Sequence, residues 1–182
     1  MNLRLMILRL GLPAFVKKKK MEDLFEMTAL AFGCPPPELK GLSGKRLLES
    51  YARFTQDQAE KAVNLGRDVA AIKAGLFQGA AALGRDARRS LHLRSRQDVL
   101  AASRLLYRML GIDFEGTPDG GASISRCFFS QYYSGETCRI ISSLDEGTIF
   151  GLSGGGELLF QERMTEGGSC CRARINFVES PR

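Results

Sequence analysis

Cys138 and Asp145 stand seven residues apart in "CRIISSLDEG" (138–147), a stretch rich in isoleucine and leucine. A helix turns about 100° per residue, so this spacing predicts a thiol and a carboxylate on one helical face. Ser142 falls between them on that face, and Ile140, Ile141, Leu144 and Leu152 fill the adjoining arc. Asp145 is then expected at the edge of a buried stripe, with Arg139, Ser143 and Glu146 towards solvent. A carboxylate in that position needs partners, because burying an unpaired charge is costly. Two roles remain open: a structural aspartate tied to backbone or arginine, or a proton-transfer group whose pKa is raised by burial.

Other candidate groups give weaker signals. The only histidine, His92, lies within "RDARRSLHLRSR" (85–96) with no carboxylate or cysteine at a helical spacing that makes a site, and is expected at the solvent edge. "GLSGGG" (151–156) lacks the Lys-Ser/Thr pair of a phosphate loop and precedes a strand pattern, so it reads as a turn. The five cysteines, Cys34, Cys127, Cys138, Cys170 and Cys171, are odd in number and show no C-x-x-C spacing. They are expected as reduced thiols, with no metal and no cofactor.

The elements that must position Cys138 and Asp145 change in character near Gly116. Helices are expected over about 17–32, 44–65, 67–91 and 96–110, with Ser43 capping the second and Ser95 with Asp98 forming a capping box for the fourth. Gly75, Gly79 and Gly84 in the third weaken it but permit close packing against a neighbour. After a loop at 115–122, a strand is expected over 123–132, then a helix over 134–152 capped by Ser134. Leu158, Phe160, Glu162 and Met164 alternate with Leu159, Gln161 and Arg163. "TEGGS" turns the chain, and Cys171, Ala173, Ile175 and Phe177 alternate back, which predicts an antiparallel hairpin over about 157–178. The expected fold is α+β: a helical N-terminal half packed with a C-terminal antiparallel β-sheet plus a helix. Residues 1–20 read as a basic, apolar lead-in, and 21–182 as a single domain with a helical part (21–112) and a sheet-containing part (120–178).

The 182 residues suffice for one substantial core, and a composition 44% hydrophobic and 25% charged is ordinary for a globular protein. The net charge of +6 is concentrated in Lys17–Lys20 and in 85–96. Without aromatic interleaving, the second run reads as a solvated helix face, and no nucleic-acid partner is expected. Arg4 and Arg9 interrupt the apolar start, and the strongest basic block follows it, which is not the secretory order. A cytoplasmic protein is expected. Peripheral membrane contact and a homodimer stay open.

"CFFSQYY" (127–133), "CRIISSLDEG" (138–147) and "FQERMTEGGSCCRARINF" (160–177) together resemble the L-2-amino-thiazoline-4-carboxylic acid hydrolase family. Cys127, Cys138, Asp145, Arg163, Gly167 or Gly168, and Cys171 match the positions of that family's C-terminal pattern. The same arrangement of strand, glycine turn and cysteine is similar to vinyl-reductase-type ligand-binding domains, whose α+β fold is related to transport-particle and haem-sensing modules. The likeness covers about 120–178, and departs where Arg172 and Ala173 replace an acidic-aromatic pair. It implies ring opening of a small cyclic C–N substrate by water. Such a reaction needs a base, an acid for the departing nitrogen or sulfur, and a cation for the substrate carboxylate. The resemblance nominates Asp145, Cys138 and Cys127 as catalytic residues and Arg163, Arg172, Cys171 and Ser142 as ligand-binding residues. The rival reading is a non-catalytic small-molecule-binding or sensory domain. In either, the partner is a small molecule, a carboxylate among the candidates.

Overall fold

The computed structural model describes residues 13–178. Four helices come first: α1 (Ala14–Ala31), α2 (Gly44–Asn64), α3 (Val69–Leu91) and α4 (Arg96–Met109). They lead into β1 (Ile112–Gly116) and β2 (Gly121–Cys127), a 3₁₀ turn at Phe128–Gln131, α5 (Gly135–Ile141) and α6 (Ser143–Ser153). Strand β3 (Glu157–Glu162), a second 3₁₀ turn at Met164–Glu166 and β4 (Cys171–Asn176) follow. The four strands form one antiparallel sheet in the order β1-β2-β4-β3. The α+β expectation holds, and the C-terminal hairpin packs against α6 as anticipated.

Local chemistry explains the boundaries. Ser95 accepts from the Asp98 amide while the Asp98 carboxylate returns a bond to the Ser95 amide, closing the expected capping box. Ser134 likewise caps α5 through the Thr137 amide. Helix α3 ends on His92, which takes a left-handed conformation at φ 52° and is exposed. One continuous core runs from Phe25 and Tyr51 in the helices through Ile149 to Leu158 and Ile175 in the sheet.

Helix α6 holds the two halves together. Its Gly147 and Gly151 lie against α3, where added Cβ atoms would collide with the carbonyl oxygens of Phe77 and Ala81. From the other side, a Cβ on Gly84 would come within 2.7 Å of the Thr148 carbonyl oxygen. These glycines let the backbones touch, at the usual cost of weaker intrinsic helix propensity. Gly79 similarly admits the Met27 side chain of α1. The packing role expected for the α3 glycines is thus seen on two neighbours.

Several expectations need correcting. Helix α1 begins at Ala14, before the expected start at about 17, and residues 1–12 lie outside the described part. The loop expected at 115–122 contains the end of β1 and the start of β2, and β1 (Ile112–Gly116) is an additional strand. Its buried–exposed alternation, Ile112 and Phe114 inward with Asp113 and Glu115 outward, is a strand signal only five residues long. The strand expected to reach 132 stops at Cys127, because Phe128–Gln131 coil into a 3₁₀ turn that brings Phe129 into the core. The helix expected over 134–152 breaks at Ser142 into α5 and α6. Ser143, expected to face solvent, is 1% exposed, because it lies one turn before Gly147 on the face turned to α3.

Candidate functional site

The face of α6 opposite its glycines carries Asp145. Despite the break at Ser142, the hydrogen bonds from the Ser142 amide to the Cys138 carbonyl and from the Glu146 amide to the Ser142 carbonyl continue the helical path. Cys138 and Asp145 therefore remain close to one side. Tyr107, from the last turn of α4, donates its hydroxyl to the Asp145 carboxyl. Arg163, at the end of β3, supplies the nearest influential positive charge. Burial raises the Asp145 pKa to about 6, while the Tyr107 hydrogen bond and the Arg163 guanidinium pull it back down.

Arg163 is itself largely enclosed, with a side chain 13% exposed. Its guanidinium stacks over the Phe160 ring, 4.0 Å from the centroid, and its Nη1 points at the Cys138 sulfur at 3.8 Å. Its Nε lies 3.9 Å from Glu166 Oε1. Cys171, in β4, accepts the Met164 amide on its sulfur at 3.4 Å. Burial raises the Cys171 thiol, and it pushes the Cys127 thiol up to about 12, with the Asp145 charge adding to the shift at Cys127. Both are neutral thiols at physiological pH, which suits a wall and not a thiolate nucleophile.

The helical half contributes more than a scaffold. Tyr51 in α2 and Tyr107 in α4 are both raised by burial and by the Asp145 charge. Tyr51 shares a 2.8 Å hydrogen bond with Thr28 of α1. Thr55 gives its hydrogen to the Tyr51 carbonyl at 2.8 Å and so accepts from the Tyr133 hydroxyl. A buried polar path thus runs from α1 and α2 to the cysteine-lined site, satisfied at each of these hydroxyls. None of these hydroxyls was singled out from the sequence. Thr28, Tyr51 and Thr55 sit at buried positions of α1 and α2 and Tyr133 in the loop before α5, places where a hydroxyl reads as ordinary core. Beside Tyr107 and Cys171, a cavity of about 10 Å³ is walled by Phe114, Ile124, Phe160 and Ala173. That is room for about one water.

Cys127, Cys138, Asp145, Arg163 and Cys171 are therefore brought together. Arg172 is not. It lies on the opposite face of β4 from Cys171, pairs with Glu162 at 3.3 Å and is 66% exposed. Strand alternation explains this, since neighbours on a strand point to opposite faces. Ser142 is buried, and its hydroxyl donates to the Arg139 carbonyl, which commits it to the α5–α6 junction. Among the described residues no group of three or more His, Cys, Asp or Glu is arranged to hold a metal ion. Among them, too, no helix is long and apolar enough to cross a membrane. No protein-family model and no curated protein matches the chain, so the hydrolase resemblance rests on the residues quoted for it.

Proposed function

We propose that this is a cytoplasmic hydrolase-like protein that opens a small cyclic C–N substrate with water, as its likeness to the L-2-amino-thiazoline-4-carboxylic acid hydrolases implies. The observation that carries the reading is Asp145, a carboxyl with its pKa raised to about 6 between a tyrosine hydroxyl and a guanidinium. A group titrating near working pH takes a proton and gives it back efficiently. In the reaction, ionised Asp145 accepts a proton as water attacks the ring carbon. It then returns that proton to the departing nitrogen or sulfur as the ring bond breaks. Arg163 holds the substrate carboxylate, and the neutral thiols of Cys127 and Cys171 line the pocket.

The test uses 2-amino-thiazoline-4-carboxylate and follows ring opening from pH 4.5 to 8. Turnover is expected to rise through pH ~6 as Asp145 ionises, and Asp145→Asn should abolish it while the circular dichroism spectrum stays unchanged. Full activity in that variant would remove Asp145 from the chemistry. The second reading is the non-catalytic binding domain, favoured by the size of the cavity, which is too small for a ring without movement. Saturable binding of the same compound with no turnover in the wild-type chain would select it.

A further inference from the structure

The turn that follows Arg163 is tied at its start by the Met164 amide on the Cys171 sulfur and at its far end by the Glu166 side chain. Glu166 Oε1 lies 2.9 Å from Arg139 Nε of α5 and 3.9 Å from Arg163 Nε, so a single carboxylate oxygen bridges two guanidinium groups. Its seat is built by the absence of a side chain: a Cβ on Gly135 would stand 3.1 Å from Glu166 Cγ and 3.4 Å from the Thr165 carbonyl oxygen. Gly167, in a left-handed conformation at φ 93°, then turns the chain away.

The two arginines are unequal. Arg139 is 63% exposed, whereas Arg163 is 13% exposed. Beside the charge of the buried Asp145 carboxyl, the described partners of Arg163 are poor matches for five N–H donors: an aromatic face, a thiol at 3.8 Å and a carboxylate oxygen at 3.9 Å. A guanidinium this enclosed, with no close oxygen acceptor, is prepared for a planar anion that can bond it bidentately. Glu166 carries the right group at the right place but reaches Arg163 only loosely. Partly exposed ion pairs of this kind are weak and exchangeable.

We infer that Arg139 and Arg163 form a binding site for a small monocarboxylate, and that Glu166 occupies it in the empty protein as a built-in competitor. An incoming carboxylate takes the place of Oε1, bonds Arg163 closely, and frees the Met164–Glu166 turn to lift. The inference deepens the proposed function by naming the charge and size of what enters and the side chain that it displaces. It also moves the second arginine of the site from Arg172 to Arg139.

Propionate, with its uncharged isostere propionamide, tests this by NMR titration of the full chain. The signals followed are the Arg139 and Arg163 Nε–H groups and the amides of 164–168. Propionate should saturate these signals and propionamide should leave them unmoved. Glu166→Gln, which keeps the shape and removes the competing charge, should tighten propionate binding about fivefold, the scale of a partly exposed ion pair. Arg163→Gln should abolish binding, and the exposed Arg139→Gln, which does not touch the core, should weaken it. Unchanged or weaker binding in Glu166→Gln overturns the inference, as does equal binding of propionamide or no binding of propionate to either protein. The titration needs no turnover. Failure here with ring opening intact removes only the competitor, and success here with no ring opening by the wild-type chain removes only the hydrolase.

Discussion

The two faces of α6 solve opposite problems. Towards α3 the helix offers Ser143, Gly147 and Gly151, and the backbones meet with almost no side-chain volume between them. Towards the sheet and α4 it offers Asp145, met by a tyrosine hydroxyl, a guanidinium and three thiols. The first face is tightly filled and has no freedom to adjust. The second leaves a buried carboxyl destabilised in its charged form. Stability is stored on one side of the helix and strain is kept on the other, which is how a fold holds a titratable group where water would otherwise relax it.

Breaking the packed face should have the largest effect. Gly147→Ala places a Cβ against the Phe77 carbonyl oxygen, a backbone atom that cannot rotate away. A loss of about 3 kcal/mol is expected, with a melting temperature lower by about 6–12 °C in calorimetry. A loss within 0.5 kcal/mol would show that the crossing is looser than the geometry requires.

Asp145→Asn probes the other face and should act in the opposite direction. Its folded pKa, about 6, lies above the ordinary 3.8, so the folded chain binds a proton more tightly than the unfolded one. The contribution of Asp145 to stability is fully present below pH ~3.8 and is lost as pH rises through about 6. The full shift corresponds to about 3 kcal/mol, and partial exposure of the residue reduces this to about 2 kcal/mol. The variant should therefore be more stable than wild type by about 2 kcal/mol at pH 8 and equal to it near pH 4, as read from urea midpoints. Lower stability at pH 8 would show Asp145 to be a structural tie.

Thr55→Val removes the acceptor of the buried Tyr133 hydroxyl while keeping the volume. The unpaired hydroxyl should cost about 1–2 kcal/mol, and Thr55→Ser should restore most of it. Tyr107→Phe keeps the ring stacked 4.9 Å from Phe114 but removes the hydrogen bond to the carboxylate. The Asp145 pKa should rise by about one unit, carrying the pH–rate profile and the stability window with it. An unmoved profile would take Tyr107 out of the site. Arg172→Ala marks the bottom of the scale: its exposed pair with Glu162 should change stability by less than about 0.5 kcal/mol and binding not at all.

How much could be read without coordinates depended on the length scale of the signal. Helices α3 and α4 carry side-chain caps at Asp68 and Ser95, and α2, α3 and α4 carry apolar periods over three or more turns, so the helix ends are legible within a few residues. The β3–β4 hairpin was legible from alternation, and its inward set of Cys171, Ala173 and Ile175 is the buried one. Strand β1 was missed because five residues at the end of a helix carry too little pattern to compete with the loop beside them. Ser143 was misplaced because a helical wheel with one apolar arc cannot represent a helix buried on two sides.

From the amino-acid sequence by itself came the α+β order, the hairpin and the helical path that carries both Cys138 and Asp145, because these depend on neighbours within a few turns or on a strict period of two. Only the tertiary structure chose Tyr107 as the partner of Asp145. Only it turned Arg172 outward, and only it set Glu166 between Arg139 and Arg163. Those residues are separated along the chain by up to 65 positions, counted from Tyr107 to Arg172. Their meeting depends on how closely α6 can approach α3 and on which face of each strand turns inward. Local periodicity encodes which face is apolar. Which charged group ends up enclosed is decided by the packing of whole elements, and that packing sets the desolvation from which the chemistry of Asp145 follows.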